Sequence, residues 1–265
     1  MGRHHPLAMA SGIMPEARPV QLVETAAAAG FDYGGMWIDP ADWTDTTTRD
    51  VKAALAASGL PLLDVEVVWI KPGPLDPDHL RIVDIGRELG AHNVLCVSSD
   101  SDRGATRDKL AALIEHAGGD IRVNLEFGLF TEVKTIGAAS AILEEIGAPH
   151  MGLLVDALHW TRSGGTVAEL AALPREWMGY CQFCDAPAIG ADPGDPQAII
   201  VEAIDGRMPL GHGGLDLAGL MEALPDGLPI GIEERSKALR DGFPDLFDRA
   251  RELMRTSRGW FDKMM

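Results

Sequence analysis

The amino-acid sequence predicts an α/β fold, a single closed (β/α)8 TIM barrel over 1–265, and three observations lead there. Strand-like apolar runs alternate with helix-like stretches that stop near glycine, the pattern of βα units feeding a parallel sheet. Eight such units fit along a chain of 265 residues, and a barrel of this kind takes about 250. The later strand-like runs each deliver an oxygen-bearing side chain near their C-terminal ends, where such barrels build their active sites.

In order, residues 6–10 read as a first strand and 18–29 as an Ala-rich helix stopped by Gly30. A strand over 33–38 precedes a helix over 49–58 that Gly59 ends, and a strand over 62–70 precedes a helix over 77–89 that Gly90 ends. The fourth unit is 93–98 with 106–117 before Gly118 and Gly119, and the fifth is 121–127 with 136–146 before Gly147. Glycine just past a helix supplies the left-handed residue that C-caps prefer. The sixth strand opens the stretch Met151–Trp160, with 167–177 as its helix. Residues 179–184 form the seventh strand, followed by a long excursion around 186–216. Within it, 186–196 is a loop rich in Pro, Gly and Asp, and 197–204 a short extra helix. Residues 217–224 return to the barrel, 228–233 make the eighth strand, and 243–254 the closing helix.

Composition narrows the function. No stretch approaches the ~18 uninterrupted apolar residues of a membrane span, so no membrane partner is expected. A formal charge of −17 leaves no extended basic surface for phosphate backbones, so nucleic acid is not an expected partner. The opening MGRHHPLAMASG carries no apolar segment of signal-peptide length, and a cytoplasmic location is expected. Three cysteines cannot all pair, and Cys181 and Cys184 lie in a strand-like run where i and i+3 face opposite ways. Their CxxC spacing is read as accidental.

The chemistry centres on MGLLVDALHW, 151–160. Its apolar run is long enough for a buried strand yet ends on Asp156, with His159 three residues on. A buried carboxylate is costly unless paired, hydrogen-bonded or bound to metal. Neighbouring runs repeat the design: VNLEFG ends on Glu126, YCQFCDA carries Gln182 and Asp185, and LPIGIEE ends on Glu233. Side chains from adjacent strands ~5 Å apart can converge on one ion. Three carboxylates and an amide oxygen form a hard donor set that favours Mg²⁺, Mn²⁺ or Ca²⁺ over a sulfur-rich zinc site. Mn²⁺ is the first expectation, with Mg²⁺, Co²⁺ and Zn²⁺ as alternatives. Taken singly, each acid could instead cap a helix or meet solvent.

Leu125-Glu126, Asp156-Ala-Leu-His159, Gln182-Phe-Cys-Asp185, Arg207 before PLGHGGLD, and Ile232-Glu233 fall in one order over nearly the whole chain. In these pieces the sequence resembles the xylose-isomerase-like barrel superfamily. That group includes sugar isomerases, tagatose- and psicose-type epimerases, inosose dehydratases and the related endonuclease IV branch. The resemblance implies metal ligands at Glu126, Asp156 and Glu233, with the strand-seven position, usually histidine, occupied here by Gln182. It also implies that His159 and Arg207 contact substrate. His212 is a further substrate-binding candidate, although relatives carry Glu in the corresponding turn and the pattern here is Gly211-His212-Gly213.

Glu66, inside DVEVVWI, is a second pocket acid if its alternation with Asp64 points inward; the preferred alternative puts it at the rim beside a lysine or solvent. Trp37, Trp69 and Trp160 lie near strand ends and could wall a sugar ring or an aryl group, or simply pack. The remaining histidines, His79 and His116 among them, are assigned to surfaces.

The expected function is a metal-dependent isomerase or epimerase of a sugar, keto-sugar or polyol-derived ketone. Glu126 and Glu233 are the candidate acid and base in proton transfer through a metal-stabilised enediolate. The same enolate could expel a β-substituent, giving a dehydratase or a lyase that cleaves a keto-glycoside. A catalytically silent barrel that binds a sugar or a protein partner is the alternative from another class, and the missing strand-seven histidine favours it. A phosphodiesterase of the endonuclease IV type would need a His-rich zinc cluster and a basic face. No G-x-G-x-x-G follows a strand, so no nicotinamide is expected. The expected partner is a small carbohydrate or glycoside-like substrate, with homo-oligomer formation left open.

Overall fold

The computed structural model describes residues 5–264; the opening residues 1–4, part of the segment read above for a leader, lie outside the described residues. Eight parallel strands form a closed barrel in sequence order. They are β1 (Leu7–Met9), β2 (Tyr33–Trp37), β3 (Leu62–Ile70), β4 (Asn93–Ser98), β5 (Arg122–Glu126), β6 (Met151–Asp156), β7 (Cys181–Phe183) and β8 (Ile230–Ile232). Closure comes from β1 pairing with β8, Leu7 opposite Ile230. β4 and β6 are buried at every residue, as expected of parallel strands covered on both faces, and hence their near-continuous apolar runs.

The outer layer contains α1 (Pro19–Ala29), α2 (Asp45–Ser58), α3 (Pro77–Leu89), α4 (Arg103–Ala117), α5 (Ile136–Ile146), α6 (Ala157–Arg162) and α7 (Val167–Ala171). It continues with α8 (Pro196–Asp205), α9 (Leu217–Ala223), α10 (Lys237–Gly242) and α11 (Leu246–Met264). The glycine rule holds where it was applied: Gly30 and Gly59 cap α1 and α2 at φ 82° and 69°.

Several boundaries move for local reasons. α2 starts at Asp45, ahead of the expected 49, because the Thr44 hydroxyl accepts the Thr47 N–H. α4 starts at Arg103 because the Asp102 carboxylate takes the N–H groups of Gly104 and Ala105. The expected helix over 167–177 breaks: α7 ends at Ala171, and Pro174, with no N–H to donate, precedes a single 3-10 turn over Arg175–Trp177. Two short helices were not expected. Ser236 caps α10, and Asp156 caps α6. The closing helix α11 runs on to Met264, beyond the expected 254, because its buried stripe continues through Leu253, Ser257 and Phe261.

The barrel interior is layered. Beneath the mouth, Leu63, Leu154 and Tyr180 pack together, beside the buried polar groups Asp64, Asn93 and Asn124. Strands β2 and β3 approach closely here: a Cβ on Gly35 would stand 2.8 Å from Asp64 Oδ1. Only a glycine leaves that carboxylate its space.

Candidate active site

Four successive strands present the expected donors at one level. Glu126 ends β5, Asp156 ends β6, Gln182 is central in β7, and Glu233 directly follows β8. Asp156 and Gln182 are register partners across β6 and β7, Gln182 is opposite Gly231 of β8, and Glu233 N–H donates to the Phe183 carbonyl at 2.9 Å. All four side chains are buried.

The turn after β6 is built around Asp156. Oδ1 accepts the His159 N–H at 2.9 Å, capping α6, while Oδ2 accepts from Arg207 Nη1 at 2.6 Å. Arg207 is held in turn: Nε donates to the Ala203 carbonyl near the end of α8 at 2.8 Å, and Nη1 stands 3.3 Å from Glu233 Oε2. α8 itself is fastened to α6 by Arg162, which donates to both oxygens of Glu202. The excursion of 186–216 therefore delivers its arginine into the carboxylate cluster. Asp185, by contrast, faces backbone: its oxygens take the N–H groups of Ala186, Gly213 and Leu215 and shape the excursion.

The electrostatics follow from burial without enough cations. Burial pushes the Glu126 carboxyl well above the usual range, and the charges of Asp156 and Glu233 push it further. Burial likewise raises Glu233 to about 8 despite Arg207. Burial pushes Asp156 up as well, but the Arg207 guanidinium outweighs it and holds the group below the ordinary aspartate value. Burial lowers His159 to about 4, so its imidazole is neutral near pH 7. His159 Nε2 lies 3.3 Å from Arg207 Nη2; guanidinium can only donate, so Nε2 accepts and the ring proton is assigned to Nδ1.

The donor chemistry fits a hard divalent ion. Both polar atoms of the Gln182 amide are buried without a hydrogen-bond partner, which is rare unless a further group completes the site. Glu126 accepts no hydrogen bond among the described residues, and the acids outnumber the cations around it. Among the described residues no three His, Cys, Asp or Glu side chains already stand together as a metal cage. The positive charge between Asp156 and Glu233 is instead that of Arg207.

Glu126, Arg207 and Glu233 open into a mouth cavity of about 230 Å³, whose lining does not include Asp156 or Gln182. Glu66, Glu126, His159, Arg207, Glu233 and Arg235 supply its polar side. Trp37, Val67, Trp69, Leu95, Val97 and Phe130 are among its apolar walls. Trp69 meets Phe130 edge-on at 5.9 Å, and Phe130 lies 4.5 Å from the His159 ring. Glu66 is buried and accepts from the Ser11 hydroxyl, so the rim alternative gives way: the β3–β4 register shift between Val65 and Val68 puts a bulge beside it. Trp160 is buried in the core outside the cavity lining, which corrects its place in an aromatic wall. His212 is corrected too: it is exposed on a groove shared with Trp260 and Arg255 and is absent from the cavity lining.

Sequence reasoning missed Ser11, Phe130 and Arg235. Each follows a strand by a few residues, and position alone could have found them, because the mouth of such a barrel is made from its βα loops.

Comparison with known proteins agrees with the fold. The family model described as xylose isomerase-like TIM barrel matches residues 23–264. A Pseudomonas aeruginosa protein named 3-dehydroshikimate dehydratase is 28% identical over 225 residues, covering 80% of this chain and 34% of that protein. The chain thus spans about a third of that curated relative. Among solved structures, the IOLI protein with a bound zinc atom superposes with TM-score 0.80 at 15% identity, covering 98% of this chain and 97% of the other. D-allulose 3-epimerase from Methylomonas sp., in complex with D-allulose, gives TM-score 0.69 at 17% identity, covering 99% and 98%. At such identities these structures speak to the fold.

Proposed function

We propose, for a chain that belongs to the xylose isomerase-like TIM-barrel family, that the mouth cavity binds a polyhydroxylated ketone and moves protons at the carbon beside its carbonyl. The observation that carries this reading is the pair Glu126 and Glu233. Both are buried carboxyls lining one cavity from separate strands. Burial raises both, with the charges of Asp156 and Glu233 adding at Glu126 and those of Asp156 and Glu66 adding at Glu233, which reaches about 8, so the pair is suited to proton transfer. One removes the proton from carbon; the other returns a proton to carbon or oxygen.

Glu126, Asp156, Gln182 and Glu233 would hold a divalent ion, Mn²⁺ first. Such an ion supplies Lewis acidity that makes a C–H beside a carbonyl easier to ionise. His159 presents a neutral imidazole that can fix a substrate oxygen through its Nδ1 proton. Arg207 is positioned by Ala203 and Asp156 to meet oxygen at the same end of the cavity. Trp37, Trp69 and Phe130 cover an apolar ring face and limit the water that reaches the reacting carbon.

Proton return to carbon gives an isomerase or epimerase. Loss of a β-hydroxyl from the same enolate gives a dehydratase, a second reading favoured by the relative named 3-dehydroshikimate dehydratase. Incubating Mn²⁺-loaded protein with D-allulose and with 3-dehydroshikimate in D₂O tests both. Deuterium at the carbon beside the carbonyl, or water loss, is the expected result. Glu126→Gln and Glu233→Gln should each slow turnover by about 10²–10⁴-fold while the fold persists. Metal-loaded forms of both variants that keep near-normal rates would remove these residues from the chemistry.

A further inference from the structure

Arg235 is the cation of the cavity that the proposed chemistry leaves unused. It follows Glu233 by two residues, and its backbone is fixed: its N–H donates to the Glu233 carbonyl at 2.9 Å and its carbonyl accepts from Arg207 N–H at 3.2 Å. Its side chain runs across Gly12, where a Cβ would stand 3.0 Å from Cδ and 3.1 Å from Nε. The absence of a side chain there gives the arginine its course. Trp37 and Arg235 both line the mouth cavity and an adjoining cavity of about 330 Å³.

Among the described residues Arg235 has no ion pair, although the chain carries 40 acidic residues against 23 basic ones. Arg162, Arg207 and Arg249 each hold a carboxylate. Arg235 Nε is buried and has no hydrogen-bond partner. A buried donor left without an acceptor is costly, so a site that keeps one beside a cavity is prepared for an acceptor brought by a ligand.

We propose that Arg235 receives a carboxylate of the substrate, so that the site acts on hydroxylated keto acids. A planar guanidinium matches a carboxylate through two parallel hydrogen bonds. A phosphate dianion would bring twice the charge into a cavity that already holds Glu66, Glu126 and Glu233, where Arg235, whose charge is felt by Glu233, is the cation without an ion pair among the described residues. Anchoring the acid at Arg235 orients the rest of the molecule toward Glu126 and Glu233, which would shorten the search for a reactive pose. The assignment rests on reading the cavity as an enolising site.

Binding separates the two ideas. Mn²⁺-loaded protein is titrated calorimetrically with 3,4-dihydroxybenzoate and with 3,4-dihydroxybenzamide, which share ring and vicinal oxygens and differ in the carboxylate. The acid should bind about 10- to 100-fold more tightly, the range of a charge-assisted hydrogen-bonded pair. Arg235→Gln should bring the two ligands within about threefold, and Arg235→Lys should fall between, with circular dichroism verifying the fold. Equal affinities in the unmodified protein, which need no variant, overturn the proposal, as does a preference that Arg235→Gln retains. A carboxylate preference in a protein that exchanges no carbon-bound proton sinks the enolising reading and keeps Arg235 as an acid receptor. Turnover of a neutral ketose without any carboxylate preference does the reverse.

Discussion

Asp64 and Asp156 are both aspartates buried on barrel strands, and they ionise in opposite senses. Asp64, in the layer below the mouth, is pushed well above the ordinary carboxylate range by burial first and by the Glu66 charge second. Asp156 is pushed up by burial too, but Arg207 at 2.6 Å reverses the balance. Burial favours the protonated acid in a low-dielectric interior, and the Arg207 charge overrides it at Asp156, although not at Glu233, which stays raised to about 8. The mouth therefore keeps a buried ion pair, Asp156 with Arg207, while in the layer beneath burial and the Glu66 charge hold Asp64 up.

The largest test of that contrast removes the cation. Arg207→Met leaves Asp156 buried without its cation, a loss of about 3–5 kcal/mol in metal-free protein, read by urea unfolding. Mn²⁺ should then raise the thermal midpoint of this variant by more than it raises that of the unmodified protein, because a dication can take the place of Arg207 between Asp156 and Glu233. Equal or smaller metal shifts in the variant would take the carboxylates out of the metal site.

A smaller change sharpens the ligand set. Gln182→His exchanges an orphaned amide for imidazole, a better partner for Co²⁺ and Ni²⁺. Tighter binding of both ions is expected, and identical isotherms for the two proteins would show that Gln182 stands apart from the ion.

The smallest effect is expected at Asp64. Asp64→Asn keeps the shape and resembles the protonated acid, so its cost at neutral pH should stay within about 1 kcal/mol. A carboxyl raised in the folded state contributes stability that is complete below its unfolded value and is lost as pH rises through its folded value. The unmodified protein should thus lose ground to Asp64→Asn as pH climbs above the ordinary aspartate range. Parallel urea midpoints for the two from about pH 5 to about pH 9 would show that Asp64 does not hold its proton.

What was legible in advance follows strand geometry. Glu126, Asp156 and Glu233 stand out because a carboxylate that ends an apolar run is chemically conspicuous, and the order of the runs places them side by side around a mouth. Arg207 carried no such mark. It lies well beyond β7, which ends at Phe183, and only the fastening of α8 through Arg162 and Glu202 shows how its guanidinium comes to meet Asp156. Glu66 was misjudged toward the rim because alternation gives a face but not a depth, and the bulge in β3 is not written in any residue type. Trp160 was left between a wall and ordinary packing because α6 was not foreseen; once Asp156 caps that helix, the indole turns into the core.

The sequence by itself determined the alternating units, the glycine stops and the parallel barrel, since these rest on periodicity and on backbone preferences within a few residues. It also supplied the oxygen donors at the ends of the later strands. The tertiary structure decided which charges meet: Arg207 with Asp156 across 51 positions of sequence, Ser11 with Glu66 across 55, and Arg235 with no carboxylate among the described residues. Ionisation and pairing depend on distances of a few ångströms between groups far apart in the chain. Those distances exist only once β8 has closed on β1 and the excursion after β7 has folded back over the mouth.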